Sequence, residues 1–201
     1  MAKIGVLALQ GDFAEHIAVL HRLATDCREV RLPGHLEGLD GLIIPGGEST
    51  TIARLLDVYD IREPLKRKVR EGMSVWGTCA GMILLARKLV EDRPQPMELM
   101  DIEVQRNAYG RQVDSFEADI PIAALGVAPF HCIFIRAPKI KHLGPGVEVL
   151  GKLTEGGVVA IQQGKLLATA FHPELTEDTR FHEYFLSIVA GQSHDPYPGP
   201  D

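Results

Sequence analysis

Three residues in this chain have the types and setting for nucleophilic catalysis: Cys79, His172 and Glu174. Cys79 lies in Gly77-Thr78-Cys79-Ala80-Gly81, between the apolar run Ser74-Val75-Trp76 and the helical pattern of residues 82–89. The spacing predicts a tight strand-to-helix turn with cysteine at its apex, the sulfur version of a nucleophile elbow. Glycines flank it because the turn is strained and a substrate must come close. A helix N-terminus supplies free N–H groups and partial positive charge, which favour thiolate over thiol. The Ala80 N–H points the same way and is a candidate oxyanion donor. His172-Pro173-Glu174 follows a second buried run, Leu166 to Phe171. Read as extended chain, positions two apart face the same way, so Glu174 can orient the imidazole toward Cys79. The chemistry is acyl transfer: thiolate attack on a carbonyl, proton donation by His172 to the leaving group, then hydrolysis of the thioester. These three residues alone leave the substrate open, since an amidase, peptidase or esterase uses the same parts. A small buried core cysteine is the other reading of Cys79.

The elements that must position these groups follow from periodicity. Ile4 to Leu9 is nearly all apolar, as in a central parallel strand covered on both faces. Phe13, Ile17, Leu20, Leu23 and Ala24 recur at helical spacing, with His16, His21 and Arg22 assigned to the opposite side. Strands are predicted at 29–32 and 41–45. The second runs into Gly46-Gly47-Glu48-Ser49-Thr50, a turn whose N–H groups suit an anion or carbonyl oxygen. Ser49 or Thr50 is the expected cap of the next helix, and a further helix spans 61–71. This β-α-β-α-α-β-α order predicts a doubly wound sheet, with ligands at the carboxyl ends of its strands. Gln10, Gly46, Gly47 and Cys79 all fall at such ends. Short strands at 102–105, 112–116, 132–136, 147–150 and 158–161 predict an antiparallel extension. A closing helix is expected through Phe181, Tyr184, Phe185 and Ile188, capped by Thr176, with His182 and His194 as surface and tail residues.

Composition narrows the classes. The 201 residues carry a net charge of −6 and no basic block, which argues against a nucleic-acid partner. No apolar run approaches the ~18 residues of a membrane span. Met1 to Val6 already reads as a strand and lacks signal-peptide features. Cys27, Cys79 and Cys132 make no paired framework and fit a reducing cytosol, hence a cytoplasmic location, with packing the default role of Cys27 and Cys132. Gly146-Val147-Glu148-Val149-Leu150-Gly151-Lys152 imitates a phosphate loop, but Leu153 follows and the inner residues read as a strand. No second His or Cys has ligand spacing to His172, so no metal is expected. One domain is expected over 1–191, with a loose tail over 192–201.

Three motifs resemble those of class I (triad) glutamine amidotransferases: Pro45-Gly46-Gly47-Glu48-Ser49, Gly77-Thr78-Cys79-Ala80-Gly81 and Phe171-His172-Pro173-Glu174. More narrowly, Leu9-Gln10-Gly11-Asp12, the run from Gln105-Arg106-Asn107 to Phe116-Glu117, Phe134-Ile135-Arg136-Ala137-Pro138 and His172 to Asp178 resemble the glutaminase subunits of pyridoxal 5′-phosphate synthase. The Arg106-to-Glu117 stretch is the most specific part. The resemblance implies an α/β fold with a doubly wound, mostly parallel sheet, helices on both faces and a small antiparallel extension. It implies hydrolysis of L-glutamine to glutamate and ammonia, with no cofactor. It implies a synthase partner, a (β/α)₈ barrel in a double hexameric ring, which receives the ammonia. It places the triad on Cys79, His172 and Glu174, the oxyanion donors at Gly47 and Ala80, and the glutamine contacts on Gly46, Gly47, Glu48, Ser49, Arg106, Ile135 and Arg136. It makes Gln10 the candidate for activation on docking. A glutaminase serving another synthase, a cysteine hydrolase of other specificity and a non-catalytic binding subunit are the rival readings.

Overall fold

The computed structural model describes residues 2–106 and 115–192. The strands are β1 (Lys3–Leu7), β2 (Asp26–Val30), β3 (Gly41–Ile44), β4 (Ser74–Thr78), β5 (Ala86–Leu89), β6 (Met100–Gln105), β7 (Ser115–Ile120), β8 (Phe130–Ile135), β9 (Lys139–Leu143), β10 (Glu148–Lys152), β11 (Val158–Gln163) and β12 (Leu166–Thr169). The helices are α1 (Phe13–Arg22), α2 (Ser49–Val58), α3 (Arg62–Arg70), α4 (Ala80–Leu85) and α5 (Arg180–Val189).

The main sheet has seven strands in the order β10-β11-β12-β4-β3-β1-β2. From β12 to β2 every pairing is parallel, and β10 and β11 add an antiparallel edge. Strands β3, β4 and β12 are buried along their whole length, which is why they appear in the sequence as unbroken apolar runs. Successive residues of β4 face opposite layers. Trp76 meets Phe181 and Phe185 of α5 and His16 of α1 on one face. Gly77 meets Gly81 and Leu85 of α4 on the other. The site is therefore built where the strands that carry both helical layers end.

Several sequence expectations need correction. The helix after Cys79 stops at Leu85; residues 86–89 become β5, which pairs with β6 in a separate three-stranded sheet completed by β9. Neither β5 nor β9 was expected, because Ala86-Arg87-Lys88-Leu89 carries on an apolar pattern that helix and strand share. The expected antiparallel extension is split: only β10 and β11 extend the main sheet, while β7 and β8 form a hairpin of their own. The expected strand 112–116 overlaps β7 only at its end, since 107–114 lie outside the described residues; so does the tail from 193. Glu48 is the N-cap of α2 in place of Ser49 or Thr50, its carboxylate accepting from the Thr50 N–H at 3.2 Å and its Oγ1 at 2.8 Å. Thr176 does not cap α5; its hydroxyl turns back to the Pro173 carbonyl at 3.0 Å, and Thr179 is the N-cap. The segment Gly146–Lys152 supplies β10, in agreement with its reading as a strand.

Two histidines are misplaced by the sequence reading. His16 and His182 are both fully buried, not on polar or surface faces. Position 16 lies three residues after Phe13 and four before Leu20, so helical geometry puts it on their face. His182 lies three before Phe185 for the same reason, against Trp76 with ring centroids 4.9 Å apart.

Candidate active site

Cys79 sits between β4 and α4 with φ +47° and ψ −99°, a conformation that a non-glycine residue adopts only where its surroundings impose it. Those surroundings are clear. The Cys79 N–H donates to the Thr169 carbonyl of β12 at 2.8 Å, and its own carbonyl accepts from Ile83 of α4 at 3.3 Å. The sheet thus grips one side of the residue and the helix the other. Ala80 opens α4, so its N–H has no partner within the helix, as an oxyanion donor requires. The sulfur lies 3.7 Å from the Ile135 carbonyl at the end of β8.

His172 follows β12 and is tied to β8 by its N–H, which donates to the Ile133 carbonyl at 2.9 Å. Its Nδ1 bonds Glu174 Oε1 at 2.7 Å. Glu174 does this from a 3-10 turn over Pro173–Leu175, not from extended chain, because Pro173 turns the backbone immediately after the histidine. Both side chains are buried. Burial by itself disfavours the imidazolium; hydrogen bonds to Asp12, to the Cys79 sulfur and to Glu174 overcome it and raise the His172 pKa. Burial raises the Glu174 carboxyl, and His172 opposes that shift. A protonated His172 beside Cys79 is the state from which thiolate attack proceeds.

Asp12 is a member that the sequence reading missed. Its Oδ2 lies 3.3 Å from His172 Nδ1, a second carboxylate on the same ring nitrogen. Its place after the β1 end, next to Gln10 and Gly11, was the available signal. Asp12, His172 and Glu174 bring one potential metal-ligand atom each within 4.8 Å of one another. The same atoms are already engaged in orienting the imidazole.

A cleft of about 320 Å³ opens over the sulfur, lined by Asp12, Gly47, Glu48, Cys79, Arg106 and Arg136 among others. Ser49, Ile135 and His172 complete its wall. The sequence candidates therefore meet in one place. Gly46 passes directly beneath the imidazole, where a Cβ would overlap the His172 ring, and Gly47, with φ +148°, packs against Gln10 and Gly11. The Gly46 carbonyl accepts from the Asp12 N–H at 3.1 Å, and the Glu48 N–H donates to Gln10 Oε1 at 2.7 Å. Gln10 thus holds the loop that would form part of the oxyanion hole.

Arg106 reaches into the cleft from the end of β6. Its guanidinium bonds the Arg93 carbonyl at 2.9 Å and Glu48 Oε1 at 3.2 Å. The Glu91 carboxylate accepts from the Arg106 N–H at 3.1 Å, another contact that sequence reasoning missed. The Arg106 Nε is buried and has no acceptor among the described residues. Thr50, Arg106 and Arg136 hold the Glu48 carboxyl below its usual range, with the Thr50 hydroxyl first and burial opposing. Arg136 has φ +46°, so the chain turns sharply just after the Ile135 carbonyl and presents it to the cleft. The most specific stretch of the sequence, beyond Arg106, lies outside the described residues up to 114.

Comparison with known proteins gives the family and the fold. The model of the SNO glutamine amidotransferase family matches residues 6–190. The pyridoxal 5′-phosphate synthase subunit PdxT of Herpetosiphon aurantiacus is 57% identical over 188 residues, covering 92% of this chain and 99% of that protein. The PdxT subunit of Salinispora arenicola is 55% identical over 192 residues, covering 92% and 96%. A solved glutamine amidotransferase superposes with a TM-score of 0.87 at 51% identity, covering 93% of this chain and 98% of its own. The Thermotoga maritima PurLQS structure shares the fold, with a TM-score of 0.70 at 13% identity over 94% of this chain and 99% of the matched one. The chain belongs to the SNO glutamine amidotransferase family.

Proposed function

We infer that this chain is the glutaminase subunit of a pyridoxal 5′-phosphate synthase, hydrolysing L-glutamine to L-glutamate and passing ammonia to a separate synthase subunit. The observation that carries the reading is the strained Cys79 with the His172–Glu174 pair at 2.7 Å, facing a cleft lined by the charged side chains of Glu48, Arg106 and Arg136.

The mechanism follows from the geometry. The Cys79 thiolate attacks the side-chain amide carbon. Negative charge develops on the carbonyl oxygen; in this proposal the Ala80 N–H takes it, joined by the Gly47 N–H once the Gly46–Gly47 peptide has turned. Each such donor is worth about 10²–10³ in rate. The His172 imidazolium protonates the leaving amine, and ammonia departs. The neutral ring then takes a proton from water, which attacks the thioester and frees glutamate. Glu174 keeps Nδ1 occupied, so the proton that moves is the one on Nε2.

Arg106 is the anchor for the substrate α-carboxylate. Its Nη2 is held at 3.2 Å by the exposed Glu48 carboxylate, the contact that a substrate carboxylate would take over in this proposal. Glu48 and the Ile135 carbonyl are the acceptors for the α-ammonium. Ser49, Gly46 and Arg136 complete the wall. Arg106→Ala is expected to raise KM for glutamine by about 10- to 100-fold, with kcat lowered far less, because it removes a charged hydrogen-bonded pair remote from the scissile bond. Steady-state glutamate release at varied glutamine checks this. A KM within twofold of wild type would remove Arg106 from the substrate site.

The partner in this proposal is a (β/α)₈ synthase arranged as a double hexameric ring, and the complex works in the cytoplasm without nucleic acid. Gln10 couples docking to catalysis. In the isolated chain it holds the Glu48 N–H while the Gly46 carbonyl is held by Asp12. Docking against α1 and the Gln10 turn is proposed to release this clasp and turn the Gly46–Gly47 peptide, completing the oxyanion hole. Glutamate release is expected to be low for the chain alone and to rise about 10²-fold with the synthase, the worth of one oxyanion donor. Equal rates with and without the synthase would discard activation and keep the glutaminase. No release in either condition would discard the reading of the site.

A further inference from the structure

Behind the triad lies a buried polar chain that the mechanism above does not use. Glu174 Oε1 is taken by His172, but Oε2 is buried and has no well-aligned hydrogen-bond partner among the described residues. The nearest candidate is His16 Nε2, 3.4 Å from Oε2 and 3.3 Å from Thr78 Oγ1. On its far side His16 Nδ1 lies 3.0 Å from His182 Nε2. His182 Nδ1 in turn is buried with no partner among the described residues. The chain thus runs from α5 through α1 to the carboxylate behind the catalytic base.

The direction of these bonds follows from what each end can tolerate. Burial keeps both histidines neutral: it lowers the His16 pKa first, with His182 and His172 adding to it, and it lowers that of His182, with Arg22 adding. Each ring then carries one N–H. If His182 held its proton on Nδ1, that N–H would be an orphaned buried donor, the rarer and costlier defect. Its proton therefore sits on Nε2 and is donated to His16 Nδ1. That leaves the His16 proton on Nε2, with Thr78 Oγ1 at 3.3 Å and Glu174 Oε2 at 3.4 Å as the acceptors within reach. The opposite tautomer would set a lone pair of His16 against the carboxylate.

We propose that His16 is a positioning residue of the triad, donating its Nε2–H to Glu174 Oε2 in a tautomer set by His182. This rests on the glutaminase reading of Cys79, His172 and Glu174. The consequence is electrostatic and geometric. A carboxylate satisfied on both oxygens stays ionised and cannot swing away from His172, so the imidazolium is kept and its Nε2 stays aimed at the sulfur. The groups facing Glu174 are His172, His16 and Asp12; those facing His16 are His182, Thr78, Trp76, Glu174 and His172; and Arg22 acts on His182.

The test uses the chain bound to its synthase, following glutamate release across pH. His16→Leu, which fills space without a donor, is expected to lower kcat by about 10- to 100-fold with KM for glutamine within twofold, the scale of losing a partner that orients a site group. It is also expected to narrow the pH profile. Glu174 then takes a proton more readily, so the acidic limb moves up; His172 loses its proton more readily, so the basic limb moves down. His16→Gln, which retains a donor, is expected to restore kcat to within about fivefold and both limbs to their wild-type positions. A packing role alone would lower the rate without moving the limbs. Because His16→Leu disturbs the contact with Trp76, the wild-type chain supplies an independent reading. Nitrogen-15 NMR of histidine-labelled protein should show His16 and His182 protonated on Nε2 and bare on Nδ1. A bare His16 Nε2, or unchanged limbs in a folded His16→Leu, overturns the proposal. Active wild type with inactive Cys79→Ala in the same assay keeps the glutaminase reading whichever way His16 turns out.

Discussion

Cys79→Ala is expected to lower glutamine-dependent ammonia supply by at least about 10⁴-fold, the scale found when the nucleophile of a triad is removed. The same complex fed with an ammonium salt should make product at the wild-type rate, because only the source of ammonia has been removed. Alanine is the informative substitution. It keeps a side chain on a backbone already held at φ +47° by the bonds to Thr169 and Ile83, so α4 and the cleft stay in place. The buried sulfur is a small loss, and docking to the synthase should be unchanged. Glycine at 79 would also be inactive but would relieve backbone strain of about 1–3 kcal/mol. A glycine variant more stable than the alanine variant would therefore measure what the fold contributes to holding the nucleophile. Glutamine-dependent product from Cys79→Ala at more than a hundredth of the wild-type rate would be incompatible with a thioester on this residue.

What the sequence reveals of this molecule divides along physical lines. Strands β3, β4 and β12 were legible because both their faces are covered, and complete burial writes an unbroken apolar run, whereas edge strand β2, mostly exposed, was expected at 29–32 and lies at Asp26–Val30. Once they are found, a doubly wound sheet brings Gln10, Gly46–Gly47, Cys79 and His172 to one edge with no further information. The peripheral strands were harder. β5 and β9 are short and partly exposed, and β9 pairs with β6, far away in sequence. No local pattern distinguishes β6 pairing β9 from β6 joining the main sheet. The candidate catalytic residues stood out because glycines and a proline mark sharp turns beside Cys79 and His172. Thr78, His16 and His182 did not, because they lie inside ordinary elements, and Asp12, in the turn between β1 and α1, was passed over. His16 and His182 were even assigned to solvent, since a histidine counts as polar in a helical wheel whatever it bonds to. Position 16, between Phe13 and Leu20 on one helical face, was the signal that could have placed it.

Gly81→Ala is expected to be among the most damaging single methyl groups in the chain outside the triad. Helix α4 lies on β3 with no side chain between them at this point, and a Cβ on Gly81 would overlap the Ile44 carbonyl oxygen. That atom is sheet backbone and cannot rotate aside as a long side chain would. The helix must lift, and α4 is where the turn at Cys79 is held through the Ile83 N–H. Forcing extra volume into a close-packed contact costs roughly 1–3 kcal/mol, and a backbone obstacle puts this case at the upper end. For a chain of this size that lowers Tm by about 4–10 °C. Activity should fall further than stability, because a shift of ~1 Å at the nucleophile can cost about 10²-fold. Gly34→Ala is the control: nothing lies within 4 Å of a Cβ there, so stability should stay within about 0.5 kcal/mol of wild type. Thermal unfolding and glutamate release in the synthase complex measure both variants. If Gly81→Ala matched Gly34→Ala in both, α4 would be free to move without consequence, and the rigid grip on Cys79 inferred from its backbone would have to be abandoned.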